Sequence, residues 1–312
     1  MDIRSNETYW LIKNAFPKGY PSLQHSISTE ILVVGGGITG ALIAYRLLKA
    51  GKEVVVVDRR DVCNGSTAAS TAMLQYEIDV PLHQLIQQCG VDAAVSSYKS
   101  CEKAIFDLKK IVEEIQSQCH FEFKKSIYYT PTRKDSKMLY NEFLARQQFG
   151  FQVDWLTRKD FQDVGLDAHS GILSESGAVM DPYKFTYDLL GYCAKKGVPI
   201  FDRTTIERFT QKNDHMLAIT TEKHTIEAAH IIHCTGYESV HTLNKKVVDL
   251  KSTYALASEA FDHFPTAFNN HIYWNTSSPY LYFRGTSETR LYVGRHVWRN
   301  SRWIAIHWPP KR

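Results

Sequence analysis

Apolar residues fall in blocks whose period changes along the chain, and those changes outline its elements. Ile31-Leu32-Val33-Val34 is wholly apolar, as a strand buried on both faces requires. A glycine cluster follows, and then Ile38, Ala41, Leu42, Tyr45 and Leu48 recur at helical spacing until Gly51. Val54-Val55-Val56-Val57 is a second buried strand, so residues 31–58 predict a βαβ unit. Pro81 opens a short helix that Gly90 closes. Ala94, Tyr98, Cys101, Ile105, Leu108, Val112 and Ile115 then make a long stripe, read as a helix laid across a domain rather than a coiled coil. Residues 121–130 and 153–156 read as strands, 135–149 as a helix and 172–180 as extended chain. Asp181-Pro182 is an N-cap followed by proline at the first helical position, opening a helix that ends at Gly197 before a strand over 198–201. Short strands near 205–209, 216–220 and 225–228 predict a meander. A further strand over 230–234 ends in Thr235-Gly236, and 250–261, 272–275, 280–284 and 291–294 read as antiparallel strands.

The turn inside the first unit is Gly35-x-Gly37-x-x-Gly40, and Asp58 closes the second strand. That is the dinucleotide fingerprint: one glycine for the tight turn, one for close backbone approach to a pyrophosphate, one for helix–sheet contact, and an acid for the ribose. Unpaired N–H groups at the helix start favour the phosphates. Asp58 would repel a 2′-phosphate, which argues against NADP despite Arg59 and Arg60; the motif by itself leaves FAD and NAD open. Residues 61–72 are small and rich in hydroxyls, as a stretch lying along an extended ligand would be.

At 312 residues the chain has room for two domains. Residues 294–312 carry five basic residues and no acid, so the net charge of +4 leaves the rest at −1, and no nucleic-acid surface is expected. No apolar run reaches the roughly 18 residues of a membrane span. The amino terminus lacks a signal-peptide core, and six scattered cysteines make no C-x-x-C, so a reducing, cytoplasmic setting is expected. His230 and Cys234 share a strand face that His233 does not, and no metal site is expected. Tyr280, Tyr282 and Arg284 share one strand face and could wall an aromatic pocket ending in a cation, suited to an acidic substrate.

Gly35-x-Gly37-x-x-Gly40, Asp58-Arg59, Gly65-Ser66-Thr67-Ala68-Ala69-Ser70-Thr71, Ala178-Val179-Met180-Asp181-Pro182, the meander near Ile206 and Cys234-Thr235-Gly236-Tyr237 occur in that order. Together they resemble the FAD-dependent oxidoreductases of the D-amino-acid oxidase superfamily, the group with glycine and sarcosine oxidases. The resemblance implies an α/β fold: a Rossmann-like FAD-binding domain (29–80 and 177–245) interleaved with an α+β substrate domain built on an antiparallel sheet (81–176 and 246–293), after an N-terminal extension (1–28). It implies FAD, with Gly35, Gly37 and Gly40 at the pyrophosphate and Asp58, followed by Arg59, at the ribose. Ser66 and Thr67 would meet the phosphates, Ser70 and Thr71 the ribityl chain or flavin, Ile206 the adenine, and Thr235 and Gly236 the cofactor's flank. The implied reaction moves a hydride from the amine-bearing carbon of a small amine or amino acid to flavin N5, with oxygen or another acceptor reoxidising the flavin. It names no catalytic base.

The family pattern continues beyond this length, whereas after Gly294 the composition shifts: Trp298, Trp303 and Trp308 are half of the six tryptophans. The final part of the family fold is expected to be missing, with 294–312 as out-of-frame coding or, alternatively, an aromatic–basic tail that anchors to a partner or membrane surface. The alternatives to an oxidoreductase are a non-catalytic remnant or binding protein with an FAD-type fold, and an NAD-linked dehydrogenase.

Overall fold

The computed structural model describes residues 7–15, 17–162, 164–212, 214–243, 245, 247–250 and 252–296. Strand Ile27–Val34 is the middle of a six-stranded sheet. It pairs in parallel with Thr225–His233 on one side and Val54–Val57 on the other, and Val54–Val57 pairs in parallel with Ile200–Phe201. Strands Ile206–Lys212 and His215–Thr220 complete the sheet as an antiparallel meander. The predicted short strand at 225–228 and the later one at 230–234 are a single strand, Thr225–His233. No turn-forming residue separates Ala228 from His230, so nothing interrupts the extended chain.

Both faces of this sheet are covered, which is why its strands are apolar without alternation. Ile31, Val33, Val54 and Val56 pack on Ala41 and Ala44 of helix Ile38–Lys49 and on Leu189, Leu190 and Cys193 of helix Pro182–Lys195. Leu32, Val55 and Val57 face Ala218, Ile226 and Ala228. The second helix starts as its sequence requires: the Asp181 carboxylate accepts from Lys184 N–H at 2.9 Å, and Pro182 follows it.

The second sheet has seven strands, in the order Thr253–Ala257, Leu291–His296, Leu281–Gly285, His271–Asn275, Lys125–Thr130, Ser170–Ser174 and Val153–Thr157. It departs from the expected antiparallel arrangement at one place, because His271–Asn275 runs parallel to Lys125–Thr130. The chain between these two passes through the first sheet, so no hairpin dictates their relative direction. The extended stretch expected over 250–261 is a strand only at Thr253–Ala257, and its residues 253–256 are exposed. Leu291–His296 continues two residues past Gly294. Residues 297–312, and with them the expected change of frame, lie outside the described residues.

The long helix is Val91–Glu114, and its stripe is spent inside the molecule: Ala94, Tyr98 and Ile105 pack with Tyr76, Leu82 and Phe151, while Ile111 and Val112 join the core of the first sheet. Trp10, on helix Tyr9–Asn14, is 2% exposed and ties the N-terminal extension to the body.

A buried ion cluster had no signal in the sequence. Within helix Ser136–Gln148, Arg146 Nε donates to Glu142 Oε1 at 2.7 Å and Nη1 to Glu77 Oε1 at 3.1 Å, all three side chains having no exposure. Glu142 also accepts from Leu82 N–H (2.9 Å) and His83 N–H (3.0 Å), so it caps helix Leu82–Cys89. Burial by itself would raise the Glu142 carboxyl, but Arg146 and the His83 hydrogen bonds hold it at about 2. Its contribution to stability is complete above the ordinary value of 4.5 and is lost as pH falls from there toward 2. Urea unfolding at neutral pH is expected to show Arg146→Met losing about 3–5 kcal/mol, because two carboxylates are left buried without a counter-charge. The wild-type midpoint should fall as pH drops from 4.5 toward about 2, and less so in Glu142→Gln.

Candidate active site

The crevice begins where Ile27–Val34 gives way to glycine. Gly35 has φ +114°, and a Cβ there would lie 2.4 Å from the Cys234 carbonyl oxygen. Its N–H donates to Val57 O at 2.7 Å, and Cys234 N–H donates to Val34 O at 2.7 Å, so three strand ends meet at this corner. A Cβ at Gly40 would fall 1.8 Å from the Gly35 carbonyl oxygen. The bare Gly40 is what allows helix Ile38–Lys49 to seat on the turn. Gly37 is different: the nearest atom to a Cβ there is Thr67 Oγ1, at 3.1 Å. That hydroxyl accepts from Ile38 N–H at 3.0 Å and so satisfies one amide at the helix start.

A crevice of about 1530 Å³ opens over this corner. Of the cofactor residues expected from the sequence, Gly35, Gly37, Asp58, Arg59, Ser66, Thr67, Ser70, Thr71, Ile206, Thr235 and Gly236 all line it, while Gly40 lies beneath the turn. Asp58 is fixed by two backbone amides, with Oδ2 accepting from Gly36 N–H at 2.7 Å and Oδ1 from Arg60 N–H at 2.8 Å. Burial raises its carboxyl, and these amides pull against that. The guanidinium of Arg59 pairs with Glu238, as does Arg60 at 2.9 Å, which bridges the end of Val54–Val57 to the short helix Gly236–His241. Gly236 has φ +58° and lies against Ser66. Among the described residues, Thr235 Oγ1 is buried with no hydrogen-bond partner, an arrangement that ordinarily costs about 1–3 kcal/mol.

The expected substrate pocket is corrected. Tyr282 lines the crevice, but Arg284 and Tyr280 do not. Arg284 is 4% exposed and points into the body, where Nε donates to Thr71 O at 2.8 Å and Nη2 to Met180 O at 3.2 Å. Its face of the strand is covered by the layer that carries Thr71 and Trp10, so alternation gave the shared face but not what lies against it. Burial lowers the Arg284 guanidinium to about 10, still charged at neutral pH. Tyr280 precedes strand Leu281–Gly285, and its hydroxyl lies 3.5 Å from Asp79 Oδ1.

Other wall residues escaped the sequence reading. Tyr9 and Lys13, from the N-terminal helix, line the crevice with Glu288, Arg290 and Tyr292. Tyr9 donates to Glu288 at 2.6 Å, Lys13 pairs with it at 2.6 Å, and Trp10 Nε1 donates to Ser70 O at 2.6 Å. Burial would raise Glu288, but Lys13 and Tyr9 hold it at about 2. The only sequence signal was the apolar Trp10-Leu11 pair, which indicates docking and not what the docked helix faces. Among the described residues no group of three or more His, Cys, Asp or Glu could hold a metal, and no helix is long and apolar enough to cross a membrane.

With this geometry in place, the comparisons fall together. Residues 30–309 match the family model described as FAD dependent oxidoreductase, and the chain belongs to that family. Its architecture is accordingly a Rossmann-like FAD-binding fold interleaved with a second α+β unit. Among curated proteins it is similar to YhfW of Bacillus subtilis (strain 168), a provisionally named Rieske 2Fe-2S iron–sulfur protein, with 28% identity over 231 residues. That alignment takes in 74% of this chain and 44% of YhfW, so the chain spans less than half the length of this relative. Among solved structures, L-proline dehydrogenase from P. horikoshii superposes with a TM-score of 0.69 at 18% identity, covering 86% of this chain and 70% of that one. Glycine oxidase from Bacillus cereus ATCC 14579 gives 0.66 at 14%, covering 87% and 73%.

Two substitutions separate the roles of the corner. Thr67→Val removes the acceptor for Ile38 N–H and should cost about 1 kcal/mol in urea unfolding. Gly40→Ala drives a methyl into the turn's own backbone and should cost about 3 kcal/mol.

Proposed function

We propose that this chain carries the FAD-binding and substrate-facing parts of an oxidoreductase that oxidises a small amine or amino acid, taking a hydride from the amine-bearing carbon. The observation that carries the reading is the continuity of the crevice from the amide-anchored Asp58, past Gly37, to the unpartnered Thr235 hydroxyl. Segments 29–80 and 177–245 would form the FAD-binding unit, and 81–176 with 246–293 the substrate-facing one.

The residues fit such a cofactor. Asp58 has its carboxylate held at the sheet edge, where it can accept from ribose hydroxyls. Gly37 admits a pyrophosphate to the helix start with no side chain in the way. Ser66, beside Gly236, offers a hydroxyl, and Thr235 offers one that the protein leaves unused. The backbone of Ser70 and Thr71 is held from behind by Trp10 and Arg284, so the wall there is rigid. When bound, FAD supplies the two-electron chemistry, and the protein contributes orientation and electrostatics. Burial, with help from Glu288, raises the Tyr9 hydroxyl to about 12, and burial raises Tyr292 to about 12. At neutral pH these walls donate hydrogen bonds and take no proton, which suits a reaction that relies on positioning.

A finer reading concerns the acceptor. The similarity to YhfW, whose name carries an iron–sulfur centre, favours one-electron acceptors over dioxygen for reoxidation.

The purified chain is expected to be yellow, and an amine or amino acid should bleach it anaerobically; reoxidation should be faster with ferricyanide than with air. A chain that retains no flavin after incubation with excess FAD and removal of the free cofactor would overturn the proposal. Asp58→Ala should raise the Kd for FAD at least about tenfold. Thr235→Val should leave the ligand-free protein as stable or up to about 1 kcal/mol more stable, while weakening FAD binding.

A further inference from the structure

Beside Asp58 the fold brings in a second acid from far along the chain. Glu238, on the short helix Gly236–His241, accepts through Oε1 from Arg60 Nη2 at 2.9 Å, and the same oxygen pairs with the Arg59 guanidinium. Its side chain is 14% exposed, against 42% for Arg59 and 28% for Arg60. Asp58, Arg59, Arg60 and Glu238 all line the crevice. Strand order gives the bridge its position. Val54–Val57 and Thr225–His233 flank Ile27–Val34, so an ion pair that joins the residues after the one to the residues after the other spans the glycine corner between them.

The two arginines are held where they are. Arg60 N–H donates to Asp58 Oδ1 at 2.8 Å, and the Arg60 carbonyl accepts from Arg203 N–H at 3.0 Å, so its backbone is fixed on both sides. The Arg203 side chain is itself committed to Asp61 at 2.5 Å. The other lysine and arginine among the described residues of the crevice wall come from elsewhere in the fold. Lys13, on the N-terminal helix, pairs with Glu288 at 2.6 Å. Arg290, beside the second sheet, donates from Nη1 to Ser258 O at 2.8 Å and stands 3.8 Å from Glu259. His233 packs edge-on against Phe209 at 4.7 Å.

An arginine close to the ribose acid is the group that accommodates a 2′-phosphate in dinucleotide sites. Guanidinium forks match phosphate oxygens in pairs, and this corner carries two of them. With Glu238 present, two carboxylates and two guanidinium groups balance. Without its charge the corner would be left with one net positive charge and two forks that no carboxylate engages.

We propose that Glu238 sets the nucleotide specificity of the crevice: by engaging both Arg59 and Arg60 it denies them to a phosphate, so that the site takes an adenosine with free ribose hydroxyls and rejects its 2′-phosphorylated form. Asp58 repels such a phosphate directly, and Glu238 removes the attraction that would offset the repulsion. Glu238 is a positioning residue that works through the two arginines and takes no part in the redox step. The inference deepens the FAD-binding reading and rests on it, but selectivity is read from nucleotide binding and needs no turnover.

The experiment compares 5′-AMP with adenosine 2′,5′-bisphosphate, which differ only in the 2′-phosphate. Calorimetry on the full chain gives their affinities, and displacement of FAD, followed by flavin fluorescence at constant ionic strength, shows that they occupy the cofactor site. The wild type should bind 5′-AMP the more tightly. Glu238→Gln should strengthen the bisphosphate about tenfold and change 5′-AMP by less than about threefold. Adding Arg59→Ala and Arg60→Ala to Glu238→Gln should remove that gain, and raising the salt concentration should shrink it. A merely structural role for Glu238 would weaken both nucleotides together. That result, an unchanged ratio in Glu238→Gln, a gain that survives loss of both arginines, or a wild type that prefers the bisphosphate would each overturn the proposal. The two readings fail separately. The predicted selectivity in a chain that retains no flavin keeps the role of Glu238 and removes the FAD reading. Retained FAD with a ratio that Glu238→Gln does not move keeps the FAD reading and removes the role of Glu238.

Discussion

The contact between Gly40 and the Gly35 carbonyl is the constraint on which the rest of the crevice depends. Any side chain at position 40 would occupy the space of that oxygen, so the helix and the turn meet backbone to backbone. Because they do, the helix start points at the crevice, Thr67 can reach the Ile38 amide, and the Cys234-Thr235 strand end can close against Gly35. One steric fact thereby orients three elements that are far apart in sequence. The acid that completes the site obeys the same logic, since Asp58 is fixed by the amide of Gly36 inside the turn.

Two buried arginines show contrasting solutions to one problem. Arg146 is compensated by Glu77 and Glu142, and the cluster organises the start of helix Leu82–Cys89. Burying such ions is costly, and their value lies in fixing a specific arrangement of helix and sheet. Among the described residues, Arg284 forms no ion pair and is held by the carbonyls of Thr71 and Met180 and by the face of Trp10. Those carbonyls belong to the segments flanking the crevice. The guanidinium thus acts as a rivet between the strand Leu281–Gly285, the hydroxyl-rich stretch and the N-terminal helix.

The N-terminal helix is more than an anchor. Through Trp10 it holds Ser70, through Asn14 it meets Asp181, and through Tyr9 and Lys13 it reaches Glu288 on the second sheet. It therefore spans both sheets at the place where the crevice passes between them. The electrostatic character of the crevice follows from such partnerships. Lys13, Arg59 and Arg60 are each neutralised by a carboxylate.

The sequence by itself determined whatever local sterics and short-range periodicity control. The βαβ unit, the glycine corner, the acid at Asp58, the cap at Asp181-Pro182 and the buried stripe of the long helix all follow from residues a few positions apart. The backbone itself requires Gly35 and Gly40 there, so the turn that opens the crevice was legible from those residues. Tertiary structure alone decided which charges meet. Alternation put Tyr282 and Arg284 on one face, but only packing against Thr71 and Trp10 shows that the face is buried at Arg284 and open at Tyr282. The parallel pairing of His271–Asn275 with Lys125–Thr130, the Glu77–Arg146–Glu142 cluster and the approach of Asp79 to Tyr280 join residues separated by tens to hundreds of positions. Hydrophobic period carries no record of partners at that range, because it reports only how deeply a residue is buried and says nothing of what it is buried against.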